Sequence, residues 1–439
     1  MTGTSQSDPI GGEEADALFA RFADPGCTAL AVSGGADSTG LLHLAAAWRA
    51  RGKGRDLFVL TVDHGLRRDA KAEAKAVCRQ AEMLGLPYRT LALGLGSATD
   101  QAGAREARYA ALEAAARDAG ATHLATAHHQ DDQAETFLLR LARGSGLRGL
   151  TGMADSRPLQ GIMLVRPFLT VPKARLVATC RARGLTWADD PSNADGRYAR
   201  AGLRPHLPLL AELGLTAGRL ADTAARLARA QAAIDEAVAA ALAEARVFEN
   251  GLLRFPSAVW NAPDEVSLRA LEAVLRAVDG GAFPPRLERL EALLIWLRED
   301  GRDGRTLNHC RIARRDDAAY AWREAGRDGL STALLGPGEN LIWDARFRLQ
   351  AGANPMRIGP LDAHVPLDTL PATPSGSPRG LWREAWRTGP AWHDGEAWRC
   401  FATRIDGPRV TANLVRDRLA AVQDYRAPRM ASSTAVPPR

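Results

Sequence analysis

The segment Ser33-Gly34-Gly35-Ala36-Asp37-Ser38 stands between an apolar run and a helical pattern, and that position restricts this chain more than any other feature. Upstream, Ala29-Leu30-Ala31-Val32 is apolar at every residue, as a strand buried on both faces requires. Downstream, Leu41, Leu42, Leu44 and Ala47 keep helical spacing up to Arg51-Gly52. A strand that passes into a helix over two glycines presents backbone N–H groups at a helix start, where the helix adds partial positive charge. Gly34 and Gly35 are expected to take backbone conformations closed to other residues and to let phosphate oxygens approach. Ser33 and Ser38 add hydroxyl donors. The segment has no lysine and spells neither G-x-x-x-x-G-K-[ST] nor G-x-G-x-x-G. Its phosphate site is therefore built differently from a Walker loop or a dinucleotide fingerprint.

The strand-then-helix unit recurs at 57–62 with 69–84, and at 122–127 with 133–142. Such alternation predicts an α/β fold, a parallel sheet with helices on both faces and ligands beyond the carboxyl ends of the strands. A loose leader precedes a first helix expected around Glu14 to Ala23. At 439 residues the chain exceeds what one core supports. The α/β part is expected over 15–210. A helical domain is expected over 211–327, where 216–242 is an almost unbroken Ala/Leu/Arg helix and 266–299 reads as further helices. A small strand-rich domain with an irregular tail is expected over 328–439, from runs such as Glu339 to Trp343 and Phe347 to Gln350.

Composition sets outer limits. Hydrophobic residues are 46% and charged residues 25%, the balance of a soluble globular protein. Lys and Arg outnumber Asp and Glu by 57 to 51, a mild bias toward a polyanionic partner. The five cysteines are scattered, with no C-x-x-C pair, and read as reduced thiols. No leader-like segment and no apolar run of about 20 residues is present, so the expectation is a cytoplasmic protein with no membrane association.

Further motifs lie at the ends of the expected strands. Thr61-Val-Asp-His-Gly-Leu-Arg67 carries Asp63 and His64. Ala127-His-His-Gln-Asp-Asp-Gln-Ala-Glu-Thr136 runs from a strand end into a helix and is dense in groups that move protons or hold cations. It lacks the H-E-x-x-H spacing of a zinc site. For Asp131, helix capping and catalysis are both open readings. Gln101 to Tyr109 carries Arg105 and Arg108, whose planar forks can bind phosphate and which read also as a solvated helix face. Beyond come Arg166-Pro-Phe-Leu169, Asp189-Asp-Pro-Ser-Asn193 and Arg197-Tyr-Ala-Arg-Ala-Gly-Leu-Arg204. Toward the C-terminus arginines interleave with Trp382, Trp386, Trp392 and Trp398, a pattern that serves contact with RNA and core packing alike.

The S-G-G-x-D-S segment resembles the signature of the PP-loop ATP pyrophosphatases. The set V-D-H-G-L-R, A-H-x-x-D-D-x-x-E-T, A-R-x-x-R-Y, R-P-F-L and the closing arginines resembles, in order and spacing, the tRNA(Ile)-lysidine synthetases. The resemblance covers about 29–208 and departs from the family at Ala201, often Asn there, and at Phe168, usually Leu. It implies an adenine nucleotide alpha hydrolase-like fold and cleavage of ATP between its α- and β-phosphates. ATP contacts are implied at Ser33, Gly34, Gly35, Ala36, Asp37, Ser38, Asp63, His64 and Arg105, with Asp37 helping to hold Mg2+. It further implies catalytic work by Asp37, His128, Asp132, Glu135 and Arg108, and contact with tRNA or substrate by Arg200 and Arg204. Which of His128, Asp132 and Glu135 deprotonates lysine and which anchors it stays open. The implied reaction ligates L-lysine to C2 of the wobble cytidine in the CAU anticodon of tRNA(Ile), through an adenylated cytidine, releasing AMP and pyrophosphate. Codon reading then changes from AUG to AUA and amino-acid identity from Met to Ile. A tRNA thiolase and a non-catalytic ATP-binding RNA module are the rival readings, and a homodimer is one compatible assembly.

Overall fold

The structure is a computed structural model and describes residues 8–20, 26–53, 56–63, 70–93, 101–159, 161–188, 199–281, 284–299, 303–361, 370–374, 377–393, 398–401 and 409–423. They form two compact units that divide between Gln231 and Ala232. The first contains α1 (Gly12–Ala20), β1 (Cys27–Ala31), α2 (Ala36–Ala50), β2 (Leu57–Asp63), α3 (Ala70–Met83), β3 (Tyr88–Ala92), α4 (Gln101–Asp118) and β4 (Ala121–Ala125). It continues with α5 (Gln130–Ala142), α6 (Leu147–Leu150), β5 (Ser156–Leu159), β6 (Ile162–Val165), α7 (Lys173–Ala182), α8 (Ala199–Leu203), α9 (Leu207–Glu212) and the start of α10 (Ala217–Ala241).

The sheet order is β3-β2-β1-β4-β6-β5. β1 pairs in parallel with β2 and β4, as do β2 with β3 and β4 with β6, while β5 closes the edge antiparallel to β6. The chain thus leaves β1 in one direction for β2 and β3, then returns to place β4 on the other side of β1. That reversal opens a crevice beyond the carboxyl ends of β1 and β4, where open α/β sheets bind ligands.

Alternation along the strands covers both faces. Leu30 and Val32 pack with Leu41, Leu44, Val77, Phe168 and Leu176 of one layer. Ala29 and Ala31 pack with Leu112, Ala115 and Ala116 of α4 on the other. Small alanines there let α4 lie close to the sheet. Ala134 and Phe137 of α5 pack against Leu220 and Ala224 of α10.

In the second unit, all strand pairs described are antiparallel. The helices expected after residue 210 are present, with Asp264–Asp279 and Leu287–Glu299 packed in one apolar cluster. A five-stranded sheet joins them, running Arg246–Val247, Leu253–Pro256, Ala318–Arg323, Cys310–Arg315, Arg305–Leu307. These strands carry no local signal in the sequence, because Ala and Arg dominate Cys310–Arg315 and Ala318–Arg323 and favour helix locally. Pairing with distant partners overrides that preference. Further sheets of four and three strands follow. Trp382 and Trp386 are buried beside Leu381 and Ala385, so core packing accounts for these two. Among the described residues no helix is long and apolar enough to cross a membrane.

Candidate active site

The loop after β1 is held by its own side chains. Ser33 N–H donates to Ser38 Oγ (3.1 Å), and Ser38 Oγ donates to the Gly35 carbonyl (3.1 Å). The Gly34 carbonyl accepts from Ala188 N–H (2.9 Å). Gly34 has φ +92°, a left-handed conformation that favours glycine. Gly35 differs from the expectation: at φ −71° and ψ 164° it is extended backbone open to any residue. Its lack of a side chain keeps space clear at the helix start, where no side chain caps α2. The first N–H groups of α2 are thus left for an anion. Ser38 is buried and engaged within the loop, whereas Ser33 is exposed.

Asp37, in the first turn of α2, faces residues from two other elements. Its Oδ2 lies 3.4 Å from His129 Nε2 and 3.8 Å from Lys173 Nζ. Its Oδ1 is buried with no hydrogen-bond partner among the described residues. Burial raises the Asp37 pKa, but the hydrogen bond and charge of His129, then Lys173 and Arg204, outweigh it and hold the carboxyl below its usual range. An ionised carboxylate with one unpartnered oxygen beside a phosphate cradle suits Mg2+, which takes one or two carboxylates and completes its shell with phosphate oxygens and water. Among the described residues no group of three or more His, Cys, Asp or Glu is arranged to hold a metal by itself.

His129 is the residue that sequence reading passes over in favour of its neighbour. It caps α5: its Nδ1 accepts from Asp132 N–H (3.3 Å), while Asp132 Oδ2 accepts from His129 N–H (3.1 Å). With Nδ1 accepting, the proton is assigned to Nε2, which lies 3.4 Å from Asp37 Oδ2 and 3.5 Å from Asp132 Oδ2. Burial lowers the pKa of this ring, but the Asp37 hydrogen bond and the charges of Asp132, Asp37 and Asp131 more than offset it. The only sequence signal is the His128-His129 doublet, which cannot say which ring turns inward. Asp131 caps a different helix from its own: its Oδ2 accepts from Lys173 N–H at the start of α7 (2.8 Å).

The carboxylates of α5 are joined to the two arginines expected to contact tRNA or substrate. Arg204 Nε donates to Glu135 Oε1 (2.7 Å), and Glu135 Oε2 is buried without a partner among the described residues. Arg200 donates to Asp132 Oδ1 (3.4 Å) and Thr136 Oγ1 (3.1 Å). Both guanidinium groups therefore belong to the crevice itself. Burial lowers the Arg204 pKa, but the bond to Glu135 and the charges of Glu135, Asp132 and Asp37 raise it overall.

His128 sits in a separate, cationic pole. Its Nδ1 is 2.9 Å from Thr126 Oγ1. Burial, followed by the charges of Arg166, Arg105, Arg200 and Arg108, pushes its pKa well below the usual histidine range. The ring is neutral near pH 7. Arg105 stacks on Tyr109 at 5.1 Å from the ring centroid, and the Nε atoms of Arg108 and Arg166 are buried without partners among the described residues. Arg105 and Arg108 are thus gathered with His128, not paired with Asp37. Asp63 ends β2, its carbonyl accepting from Leu93 N–H (3.0 Å). His64, Asp189 to Asn193 and Arg197 lie outside the described residues.

The PP-loop domain family matches residues 12–210. A tRNA(Ile)-lysidine synthase of Bradyrhizobium diazoefficiens is 46% identical over 308 residues, covering 66% of this chain and 83% of the relative. One of Methylobacterium nodulans is 48% identical over 301 residues, covering 66% and 88%. The chain belongs to the tRNA(Ile)-lysidine synthase family. It is therefore an enzyme, a ligase with an ATP-binding PP-loop domain. A more distant synthase, from Ralstonia nicotianae, is 42% identical over 330 residues, 73% of this chain and 68% of that one. In this family member part of the long motif after His129 is scaffold. Gln133 bonds both Met153 N–H (2.6 Å) and Met153 O (2.7 Å), and Arg140 holds the carbonyls of Gly149 and Gly152.

Proposed function

We propose that the enzyme adenylates the 2-carbonyl oxygen of the wobble cytidine in the CAU anticodon of tRNA(Ile) and then replaces AMP with the ε-amine of free L-lysine. In the first step O2 of cytidine bonds to the α-phosphorus of ATP, the bond to the β-phosphate breaks and pyrophosphate leaves. In the second, the lysine amine gives up a proton and bonds to C2, and AMP departs with the oxygen. The modified base reads AUA in place of AUG, and the tRNA accepts Ile in place of Met.

The observation that carries this reading is the meeting, at the β1/β4 crevice, of an uncapped helix start with the α5 carboxylates through His129. Among the described residues two buried oxygens there lack partners: Asp37 Oδ1 on the phosphate side and Glu135 Oε2 on the amine side. An unpaired buried acceptor is costly, and a cation at each relieves it. Asp37 is the residue to hold Mg2+, which when bound neutralises charge on the departing pyrophosphate. Glu135 and Asp132 anchor the lysine ammonium and take its proton. Neutral His128 among its arginines orients the base, with Arg108 and Arg105 toward negative charge.

The test is incubation with ATP, magnesium, labelled L-lysine and unmodified tRNA(Ile) bearing CAU, beside the CAU methionine tRNA. Label in the isoleucine tRNA alone is expected, and label in neither or in both overturns the reading. Asp37→Ala is expected to keep the fold by circular dichroism and to lose pyrophosphate exchange by about 100-fold or more. Normal exchange in that variant refutes the placing of the metal.

A further inference from the structure

The phosphate loop has no lysine, and ATP carries more negative charge than backbone N–H groups alone answer. The tertiary structure brings a lysine to the loop from 136 residues downstream of Asp37. Lys173 opens α7, and its Nζ lies 3.8 Å from Asp37 Oδ2. Nearly half of its side chain is exposed, so the ammonium has room to turn toward a ligand.

Its backbone is fixed. Lys173 N–H is held by Asp131 Oδ2 (2.8 Å), and Gln130 N–H donates to the Val171 carbonyl two residues earlier (2.9 Å). These bonds stitch the start of α7 to the start of α5, whose cap His129 touches the same Asp37 oxygen. The other cations near Asp37 have closer partners: Arg204 is on Glu135 at 2.7 Å, and His129 is within the α5 cap. Arg200 is on Asp132 and Thr136, and Arg105, Arg108 and Arg166 act on the His128 side. An ammonium has three donors in free rotation. At 3.8 Å from Asp37 Oδ2 and nearly half exposed, the ammonium can turn these donors to phosphate oxygens.

We infer that Lys173 is a catalytic residue that grips the β- and γ-phosphates of ATP and stabilises the departing pyrophosphate, a lysine supplied from a second helix to a loop that lacks one. This rests on the reading of the crevice as the site of ATP cleavage. On this assignment Lys173 marks the pyrophosphate end of that crevice, so its loss is felt by pyrophosphate and ATP and not by AMP.

The experiment is calorimetric titration of the full chain, wild type and Lys173→Met, with ATP, inorganic pyrophosphate and AMP in the presence of magnesium, followed by tRNA-dependent pyrophosphate exchange. Expected in Lys173→Met is a loss of tenfold or more in affinity for pyrophosphate and ATP, unchanged affinity for AMP and a fall of about 100-fold in exchange. Lys173→Arg, which keeps the charge, recovers part of the pyrophosphate affinity, and the neutral Lys173→Gln takes the place of the Met variant if that one misfolds. Unchanged pyrophosphate affinity in both variants overturns the assignment, as does an equal loss for AMP, which marks a structural role. If the wild type binds neither ATP nor pyrophosphate, the reading of the crevice itself falls, an outcome distinct from failure of Lys173 alone.

Discussion

Gly34 and Gly35 look alike in the sequence and do different work. Gly34 needs the left-handed region at φ +92°, and a Cβ there would lie 3.6 Å from Val77 Cγ2, so backbone strain and not crowding opposes a side chain. Gly34→Ala is expected to lose about 1–2 kcal/mol of stability in denaturant unfolding. Gly35→Ala, on extended backbone where a Cβ would lie 4.0 Å from the Ala188 carbonyl oxygen, is expected to stay within about 0.5 kcal/mol of wild type. Its ATP affinity should nonetheless fall, because the methyl enters the space left for phosphate. Equal stability losses in the two would refute this division. His129 has a similar double character. Asn at this position still caps α5, so His129→Asn should unfold within about 0.5 kcal/mol of wild type. It loses the contact with Asp37, and pyrophosphate exchange should fall roughly tenfold or more. Retained exchange would reduce His129 to a cap.

At the scale of elements, the starts of α2, α5 and α7 converge because loops after β1, β4 and β6 all open on one end of the sheet. The strand-helix alternation made β1, β2 and β4 legible in the sequence. β3 was not legible, since its residues are mostly exposed at the sheet edge and lack an apolar pattern. β5 and β6 are short, and their hairpin lacks alternation strong enough to read. The long motif after His129 reads as one unit, yet only its first part faces the crevice. Gln133 instead ties α5 to Met153 through both atoms of its amide. Gln133→Ala leaves a backbone donor and acceptor unpaired and is expected to cost about 1–3 kcal/mol in chemical unfolding. A cost below about 0.5 kcal/mol would mean that solvent replaces both bonds.

For the molecule as a whole, the excess of basic side chains becomes informative only once burial is known. The helix Arg379–Arg387 turns Leu381, Trp382, Ala385 and Trp386 inward and leaves Arg379, Arg383 and Arg387 exposed. The interleaving of Arg and Trp seen in the sequence is here the amphipathic pattern of one helix. Arginine without those two tryptophans predicts contact with tRNA phosphates. The double variant Arg379→Gln, Arg383→Gln is then expected to weaken tRNA binding and to flatten the plot of log affinity against log salt by roughly 1 to 2. Filter binding across a salt series measures this, and an unchanged slope would place tRNA elsewhere.

By itself the sequence determined the α/β class, the phosphate loop and the presence of Asp132, Glu135 and the arginines, because these depend on local spacing and on residue chemistry that no fold alters. Only the tertiary structure decided that His129 and not His128 reaches Asp37, and that Asp131 caps α7. It also decided that Arg200 and Arg204 close on α5 carboxylates and that a lysine joins the loop from α7. Each is a choice of direction or of distant partner, set by sheet order and helix packing over separations that no local pattern records.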